Sequence, residues 1–425
     1  MCQDRRWYFS KTADRRVKNR NAVYCDVAPS RADAIAPGGA RVTTGGRGTT
    51  FFPMPQPRRS LPLPIPGRRA IVLGAGSFGT AVAVLLSRGG LRTTLQARTP
   101  EQARRLQDDG ENVAYLPGVE LPRELRIEDV SAGLARADFV FLGVPSRGLN
   151  EVIGELEANG LPKGAALVSM AKGLVPPDGR SPSVLLKEVV GADRVAVVGG
   201  PAHAREMVHE GAGLVAASSN EPLADAIAQV FLKAGVVCET STDPVGVELA
   251  GAAKNAAALA AGATEAQGLN AAGAAAGHIF AEVWALAAQQ GAQPESLIGL
   301  AGTGDLVATA LAPQSRNRRA GELLAQGVPS SEIPERIGQA VEALESVPLL
   351  AAAIQGAGVH APVTTGLTQL ISGELPLDDW VELVRTTVPV PARRRVVPRP
   401  RPGFFRRQGD KWRAWRAGES LPAEP

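Results

Sequence analysis

Short apolar runs recur along residues 69–240, each followed by a glycine-rich or polar turn and then a stretch of helical composition. The first run is Ala70-Ile71-Val72-Leu73, and further strands are predicted at 93–97, 139–143, 166–169, 195–198, 213–217 and 236–239. Unbroken apolar runs of this length suit strands covered on both faces. Their alternation with helices predicts a parallel, doubly wound α/β sheet. Near residue 243 the pattern changes to long Ala-rich stretches. Helices are predicted over 246–263, 271–291, 315–326 and 341–355, with no convincing strand among them, so the second half reads as all-α.

The two ends follow neither pattern. Residues 1–67 are rich in Gly, Arg and Thr and then in Pro, and 388–425 are rich in Pro and Arg, with Trp412 and Trp415 among them. Such segments bury too little apolar surface to offset the entropy of ordering. The expected organisation is a disordered tail at 1–67, an α/β domain at 68–242, an all-helical domain at 243–387, and a basic tail at 388–425. The first tail is expected to be dispensable, with Met54 as an alternative start.

Charge follows the same division. The net +4 of the 425 residues hides +8 in 1–67, +7 in 388–425 and −11 in between. With no basic face on the folded part, nucleic acid is not an expected partner. Cys2, Cys25 and Cys238 are too few and too scattered for a disulfide framework or a metal cluster, so no metal is expected, and a reducing cytoplasm is the expected setting. No apolar run is read as long enough to span a membrane, and the start lacks the apolar stretch of a secretory signal.

Gly74-Ala75-Gly76-Ser77-Phe78-Gly79 directly follows the first predicted strand and opens a helix. A lone G-x-G-x-x-G is weak, but in this context it reads as the phosphate turn of a Rossmann-type domain. Gly74 permits the tight turn, Gly76 lets the backbone approach a pyrophosphate, and Gly79 allows close helix–strand packing. At the end of the second strand, where NAD-preferring sites carry a carboxylate, stands Thr94-Leu95-Gln96-Ala97-Arg98. Arg98 suits a 2′-phosphate, so NADP is expected to be accepted, with NAD as well.

Four further clusters carry chemistry. Lys172 follows the strand at 166–169, and Gly200-Pro201-Ala202-His203-Ala204 follows the strand at 195–198. Lys254-Asn255 interrupts an otherwise apolar helix, and Gly299–Asp305 precedes Ser315-Arg316-Asn317-Arg318. A lysine on the inward face of such a helix is costly to bury. Ketone reduction needs a proton donor at the carbonyl oxygen, and burial beside a second cation such as Lys172 would bring the Lys254 pKa down toward working pH. A lysine reaching off the helix surface is the plainer reading of Lys254 taken alone. Asp305 could hold Lys254 or merely cap a helix. Arg316 and Asn317 could bind a phosphate or form a solvated basic face. His203, with no partner visible in the sequence, is not expected to be catalytic.

Together these clusters resemble the NAD(P)-dependent glycerol-3-phosphate dehydrogenases, the bacterial type in particular, from about Arg69 to about Arg385. The resemblance rests on the glycine turn with Ser77-Phe78, Val144-Pro145-Ser146, Ala171-Lys172-Gly173, Gly200-Pro201, Gly246–Gly251 with Lys254-Asn255, Gly299–Asp305 and Ser315–Arg318. It implies a helical second domain of the 6-phosphogluconate dehydrogenase C-terminal type, and reduction of dihydroxyacetone phosphate to sn-glycerol 3-phosphate for phospholipid synthesis. It makes Lys254 the proton donor and acceptor. Lys172, Gly200, Ala202, Lys254, Asn255, Asp305, Ser315, Arg316 and Asn317 would bind substrate. Gly74, Gly76, Ser77, Phe78, Gly79, Arg98, Lys172, Ala204, Arg316 and Glu342 would bind the cofactor. A homodimer is implied.

The chain departs from the family at Ala202, where Ser or Thr is usual, at Gly268-Leu269-Asn270, near His278, and at Val341-Glu342-Ala343. Two alternatives stand beside this reading: a dehydrogenase of the same architecture acting on another small keto or hydroxy acid, and a non-catalytic NADP-binding sensor.

Overall fold

Four apolar residues in Arg69–Leu73 (β1) divide between the two faces of a sheet. Ala70 and Val72 pack with Val82 and Leu86 of the helix Ser77–Arg88 (α1), while Ile71 and Leu73 pack with Leu149, Leu156 and Leu186 on the other side. The structure is a computed structural model and describes residues 67–388 apart from Pro313. The tails expected at 1–67 and 388–425 lie outside the described residues but for Gly67 and Val388.

The chain continues through β2 (Arg92–Ala97), α2 (Pro100–Asp109), β3 (Glu111–Asn112), β4 (Leu116–Glu120), β5 (Arg126–Asp129), β6 (Phe139–Leu142), α3 (Leu149–Asn159) and β7 (Ala166–Ser169). Then come α4 (Pro182–Val190), β8 (Val195–Gly199), α5 (Ala204–His209), β9 (Gly213–Ala217), α6 (Glu221–Lys233) and β10 (Val237–Ser241). Eight strands form one sheet in the order β10-β9-β8-β7-β6-β1-β2-β5, and β3 pairs with β4 in a separate hairpin. Strand order reverses between β1 and β6, the switch point at which a doubly wound sheet opens a crevice at its strand ends.

The predicted parallel, doubly wound sheet is present, with one pair departing from the parallel direction. β8 and β9 run antiparallel, whereas every other pair in the large sheet is parallel. The connection between them holds only the six-residue α5, too short a helix to carry the chain back along the sheet before the next strand.

From Pro244 the chain is helical: α7 (Pro244–Thr264), α8 (Leu269–Gln289), α9 (Pro294–Ile298), a π-turn at Leu300–Gly304, α10 (Asp305–Leu311) and α11 (Arg316–Ala325), followed by α12 (Ile333–Ile337), α13 (Glu342–Gly356), α14 (Pro362–Ser372) and α15 (Leu377–Thr386). α7 is buried over nearly its whole length, and its apolar face joins a cluster with Val197 and Val215 of the sheet. It can lie so deep because it is built largely of Ala and Gly. A Cβ on Gly262 would come 2.1 Å from the Arg318 carbonyl oxygen, and one on Gly321 would come 2.1 Å from that of Leu259. The two glycines therefore let α7 and α11 cross backbone against backbone.

α8 corrects the expectation about apolar length. It has 21 residues, and its most apolar 18-residue stretch has a mean hydropathy of 1.3 and is one-third buried, long and apolar enough to cross a membrane by those measures. Its Ile279, Val283 and Leu286 face the helical core. Its Glu282 accepts from the Val363 and Thr364 amides at the start of α14, at 3.0 and 2.8 Å, which ties the helix into the protein.

A second buried carboxyl lies in α7. Glu248 accepts from the Ser183 amide at 2.8 Å, and Ser183 Oγ lies 2.6 Å from its Oε2. Burial pushes this carboxyl up to about 8, and the Ser183 bonds only partly counter it. The unfolded chain ionises Glu248 near the ordinary glutamate value while the folded chain keeps the proton. Stability from this group therefore falls as pH rises from about 4.5 to about 8. Glu248→Gln removes that loss, so its melting temperature will decline less steeply than the wild type's across this window; parallel curves would contradict the assignment.

Candidate active site

β1 ends in the glycine turn. Gly74 has φ +103°, and a Cβ there would stand 2.7 Å from the Gly143 carbonyl oxygen at the end of β6. Gly79 is pressed as closely on Gly74. Gly76 differs, because a Cβ there would meet nothing within 4 Å. It starts α1 in extended conformation with no side-chain cap, so no capping side chain takes up the first amides of the helix. A turn closed toward the sheet and open on its outer side fits a dinucleotide's pyrophosphate, which needs backbone approach and N–H donors. Arg98, at the end of β2, is exposed, and Thr99 beside it caps α2.

The lysine that follows β7 lies beside this turn. Lys172 Nζ sits 5.6 Å from the centre of the Phe78 ring, so Phe78 joins the glycine turn to the charged cluster through a cation–π contact. The same Nζ donates to Asp305 Oδ2 at 2.9 Å and to the Gly200 carbonyl at 3.2 Å. Lys254 is 7% exposed, and its Nζ stands 3.6 Å from the same Asp305 oxygen. Asp305 opens α10 and caps nothing there: its carboxylate lies between two ammonium groups. Of the two readings of Lys254, the buried one holds.

The electrostatics follow from this packing. Burial lowers the Lys254 pKa from its ordinary value, Lys172 lowers it further, and Asp305 and Glu342 oppose both without cancelling them. For Asp305 burial would raise the carboxyl, but Lys172 and Lys254 outweigh it and hold it below the usual range. The site holds an amine whose hold on its proton is weakened beside a carboxylate that favours its charged form.

An amide network sets these groups. Asn255 Nδ2 donates to the Lys172 carbonyl at 3.0 Å and to Glu342 Oε2 at 3.1 Å, and its Oδ1 accepts from Asn317 Nδ2 at 2.9 Å. Asn317 Oδ1 accepts from the Ala343 amide at 3.2 Å. Ser315 caps α11 by accepting from the Arg318 amide, and exposed Arg316 donates to the Ala340 carbonyl at 3.1 Å. The structure thus brings Lys172, Gly200, Lys254, Asn255, Asp305, Asn317 and Glu342 into one connected cluster. Ser315 and Arg316 stand beside Asn317 at the head of α11, Ala202 and Ala204 flank His203 after β8, and Arg98 stands apart at the end of β2.

The N-terminal model of the NAD-dependent glycerol-3-phosphate dehydrogenases matches residues 69–224, and the C-terminal model matches residues 243–382. This chain belongs to the NAD-dependent glycerol-3-phosphate dehydrogenase family. It is 40% identical over 310 residues to a glycerol-3-phosphate dehydrogenase [NAD(P)+] of Deinococcus radiodurans, covering 71% of this chain and 90% of that protein. With the enzyme of the same name from Moorella thermoacetica it shares 38% over 318 residues, covering 73% and 93%. A solved glycerol-3-phosphate dehydrogenase of Coxiella burnetii superposes with TM-score 0.70 at 30% identity, covering 76% of this chain and 99% of that one. The family fixes the chain as an NAD(P)-dependent oxidoreductase with a Rossmann-type sheet and a helical second half.

Sequence reasoning missed several groups around this cluster. Asn112 and Gln102 contact the glycine turn from β3 and α2, and Glu342, expected only at the cofactor, also accepts from Asn255. The sequence shows no partner for His203. Its Nε2 is buried without a hydrogen-bond partner among the described residues, and its ring interacts electrostatically with Asp305. Only a polar residue placed among small ones could have flagged Asn112, and that signal is weak.

Proposed function

We propose that the chain catalyses reversible hydride transfer between NAD(P)H and dihydroxyacetone phosphate, giving sn-glycerol 3-phosphate for glycerophospholipid synthesis. One observation carries the site assignment: a buried lysine shares a carboxylate with a second lysine that lies against Phe78 of the glycine turn. A bound reduced nicotinamide supplies the hydride to the ketone carbon. Lys254, as the ammonium, gives its proton to the ketone oxygen, and in the oxidation direction the free amine takes it back. Asp305 holds both lysines, and Lys172 keeps positive charge near the developing alkoxide and lowers the affinity of Lys254 for its proton.

Arg316, Asn317 and Ser315 at the start of α11 bind the phosphate, with Gly200, Ala202 and Asn255 completing the substrate contacts. Gly74–Gly79 with Ser77 and Phe78, together with Arg98, Lys172, Ala204, Arg316 and Glu342, hold the cofactor. The substrate then lies between the portions 68–242 and 243–387. The charged substrate and cofactor suit a cytoplasmic location. A homodimer is supported by the outer side of α8, where Leu269, Gly273, Ala274, Gly277 and Ala281 are exposed and offer close, apolar approach.

The reading is tested by following nicotinamide absorbance with dihydroxyacetone phosphate and either reduced cofactor. Turnover of this substrate with at least one of them supports it, and turnover of an unphosphorylated keto acid alone would overturn it. Cofactor choice has its own test. Arg98→Asp will raise the KM for NADPH about tenfold or more while changing that for NADH far less, as expected when a charge-assisted phosphate contact is replaced by repulsion. Equal changes would remove Arg98 from cofactor selection.

A further inference from the structure

Asn112 ends the two-residue strand β3 and is 2% exposed. Its Nδ2 donates to the Ala75 carbonyl at 3.0 Å and to Thr80 Oγ1 at 2.7 Å, and its Oδ1 accepts from the Tyr115 amide at 3.3 Å. Gln102 donates a longer bond to the same Ala75 carbonyl, at 3.4 Å, while its Oε1 accepts from the Arg98 amide at 3.1 Å. Two side-chain amides, from a strand and a helix that follow later in the chain, therefore converge on one main-chain carbonyl inside the glycine turn.

The geometry of a trans peptide gives this convergence a purpose. The C=O of Ala75 and the N–H of Gly76 lie in one plane and point in opposite directions. With the carbonyl turned toward Asn112 and Gln102, the Gly76 N–H is turned away from them. A Cβ on Gly76 would meet nothing within 4 Å, so there is room beside this residue. Next to glycine such a peptide has little steric resistance to flipping. A flipped peptide would offer an oxygen, not an N–H, to an approaching phosphate, which is the wrong polarity for an anion site.

We propose that Asn112, seconded by Gln102, is a positioning residue for the dinucleotide, fixing the Ala75–Gly76 peptide so that its N–H faces the pyrophosphate. The inference rests on the family's NAD(P) dependence and not on the roles given to Lys254 or Asp305. Because Gln102 also holds the Arg98 amide, the same clamp couples the phosphate turn to the segment that meets the ribose.

The test is direct titration of the full-length protein with NADPH, read by nicotinamide fluorescence and needing no turnover. Asn112→Asp keeps the shape and replaces the donor with an acceptor facing the Ala75 carbonyl. The NADPH dissociation constant is expected to rise about tenfold, the scale of one lost hydrogen bond with its partner left unpaired. KM for dihydroxyacetone phosphate and kcat at saturating NADPH should stay within about twofold, since the bond lies outside the reacting groups. Thr80→Val deletes the other acceptor of Nδ2 and leaves the Ala75 bond, so its NADPH affinity should match the wild type's.

Unchanged affinity in a folded Asn112→Asp, or an equal loss in Thr80→Val, overturns the proposal. If Asn112→Asp does not fold, Gln102→Leu decides. A rise of about threefold in the NADPH constant supports the clamp, as expected for a weaker, longer bond, and no change rejects it. Should NADPH bind as expected while dihydroxyacetone phosphate is not turned over, the clamp stands and the proposed reaction falls.

Discussion

Lys254→Met will lower turnover of dihydroxyacetone phosphate by about three orders of magnitude, the scale set by removing a general acid, yet the variant will melt no lower than the wild type. The two halves of this result have one cause. Lys254 is 7% exposed and its pKa is pulled down chiefly by burial and then by Lys172, so holding it charged costs folding free energy. Met fills nearly the same volume without a charge, and Asp305 keeps its 2.9 Å partner in Lys172. NADPH affinity should remain near that of the wild type. The measurement is kcat beside a thermal melt. A folded variant that retains wild-type turnover would remove Lys254 from the chemistry, and a sharply lowered melting temperature would show that the amine is structural.

The second large effect is expected at Asp305. Asp305→Asn leaves two ammonium groups facing a neutral amide, and breaking a buried charge pair in this way costs about 3–5 kcal/mol. Lys254 also loses a group that raises its pKa, while burial and Lys172 still lower it. The direction for activity follows. Reduction needs the ammonium, so the alkaline fall in its rate will move to lower pH. Oxidation needs the free amine, so its rise with pH will begin earlier. A denaturation curve measures the first effect and a pair of pH–rate profiles the second. Profiles that superpose on the wild type's would show that Asp305 does not set the proton affinity of Lys254.

Much of the fold could be read from the chain because its core elements announce themselves locally. β1, β6 and β7 are built on apolar runs of three or four residues, and α7 is a long Ala-rich stretch that begins at Asp243-Pro244. The elements that went unread are those whose local pattern is weak. β3 has two residues, β4 carries Pro117 and Gly118, and β5 is the polar edge strand Arg126–Asp129. The antiparallel β9 could not be foreseen either, since the direction of a strand depends on what its connection does in space. The candidate site divides in the same way. Lys254 stood out as a charge in an apolar helix and the glycine turn as a spacing. The sharing of Asp305 between two lysines, the Asn255–Glu342–Asn317 relay and the grip of Asn112 on Ala75 join residues far apart in sequence, and no local signal encodes them.

The crossing of α7 and α11 at Gly262 and Gly321 bears on what the pocket can measure. Lys254-Asn255 ride on one helix and Ser315-Arg316-Asn317 head the other, and at the crossing main chain rests on main chain. The spacing of the two helices that carry the proposed proton-handling amine and the proposed anion anchor is therefore graduated by backbone thickness. Even a single methyl added at Gly262 or Gly321 would prise the helices apart and recalibrate the scale.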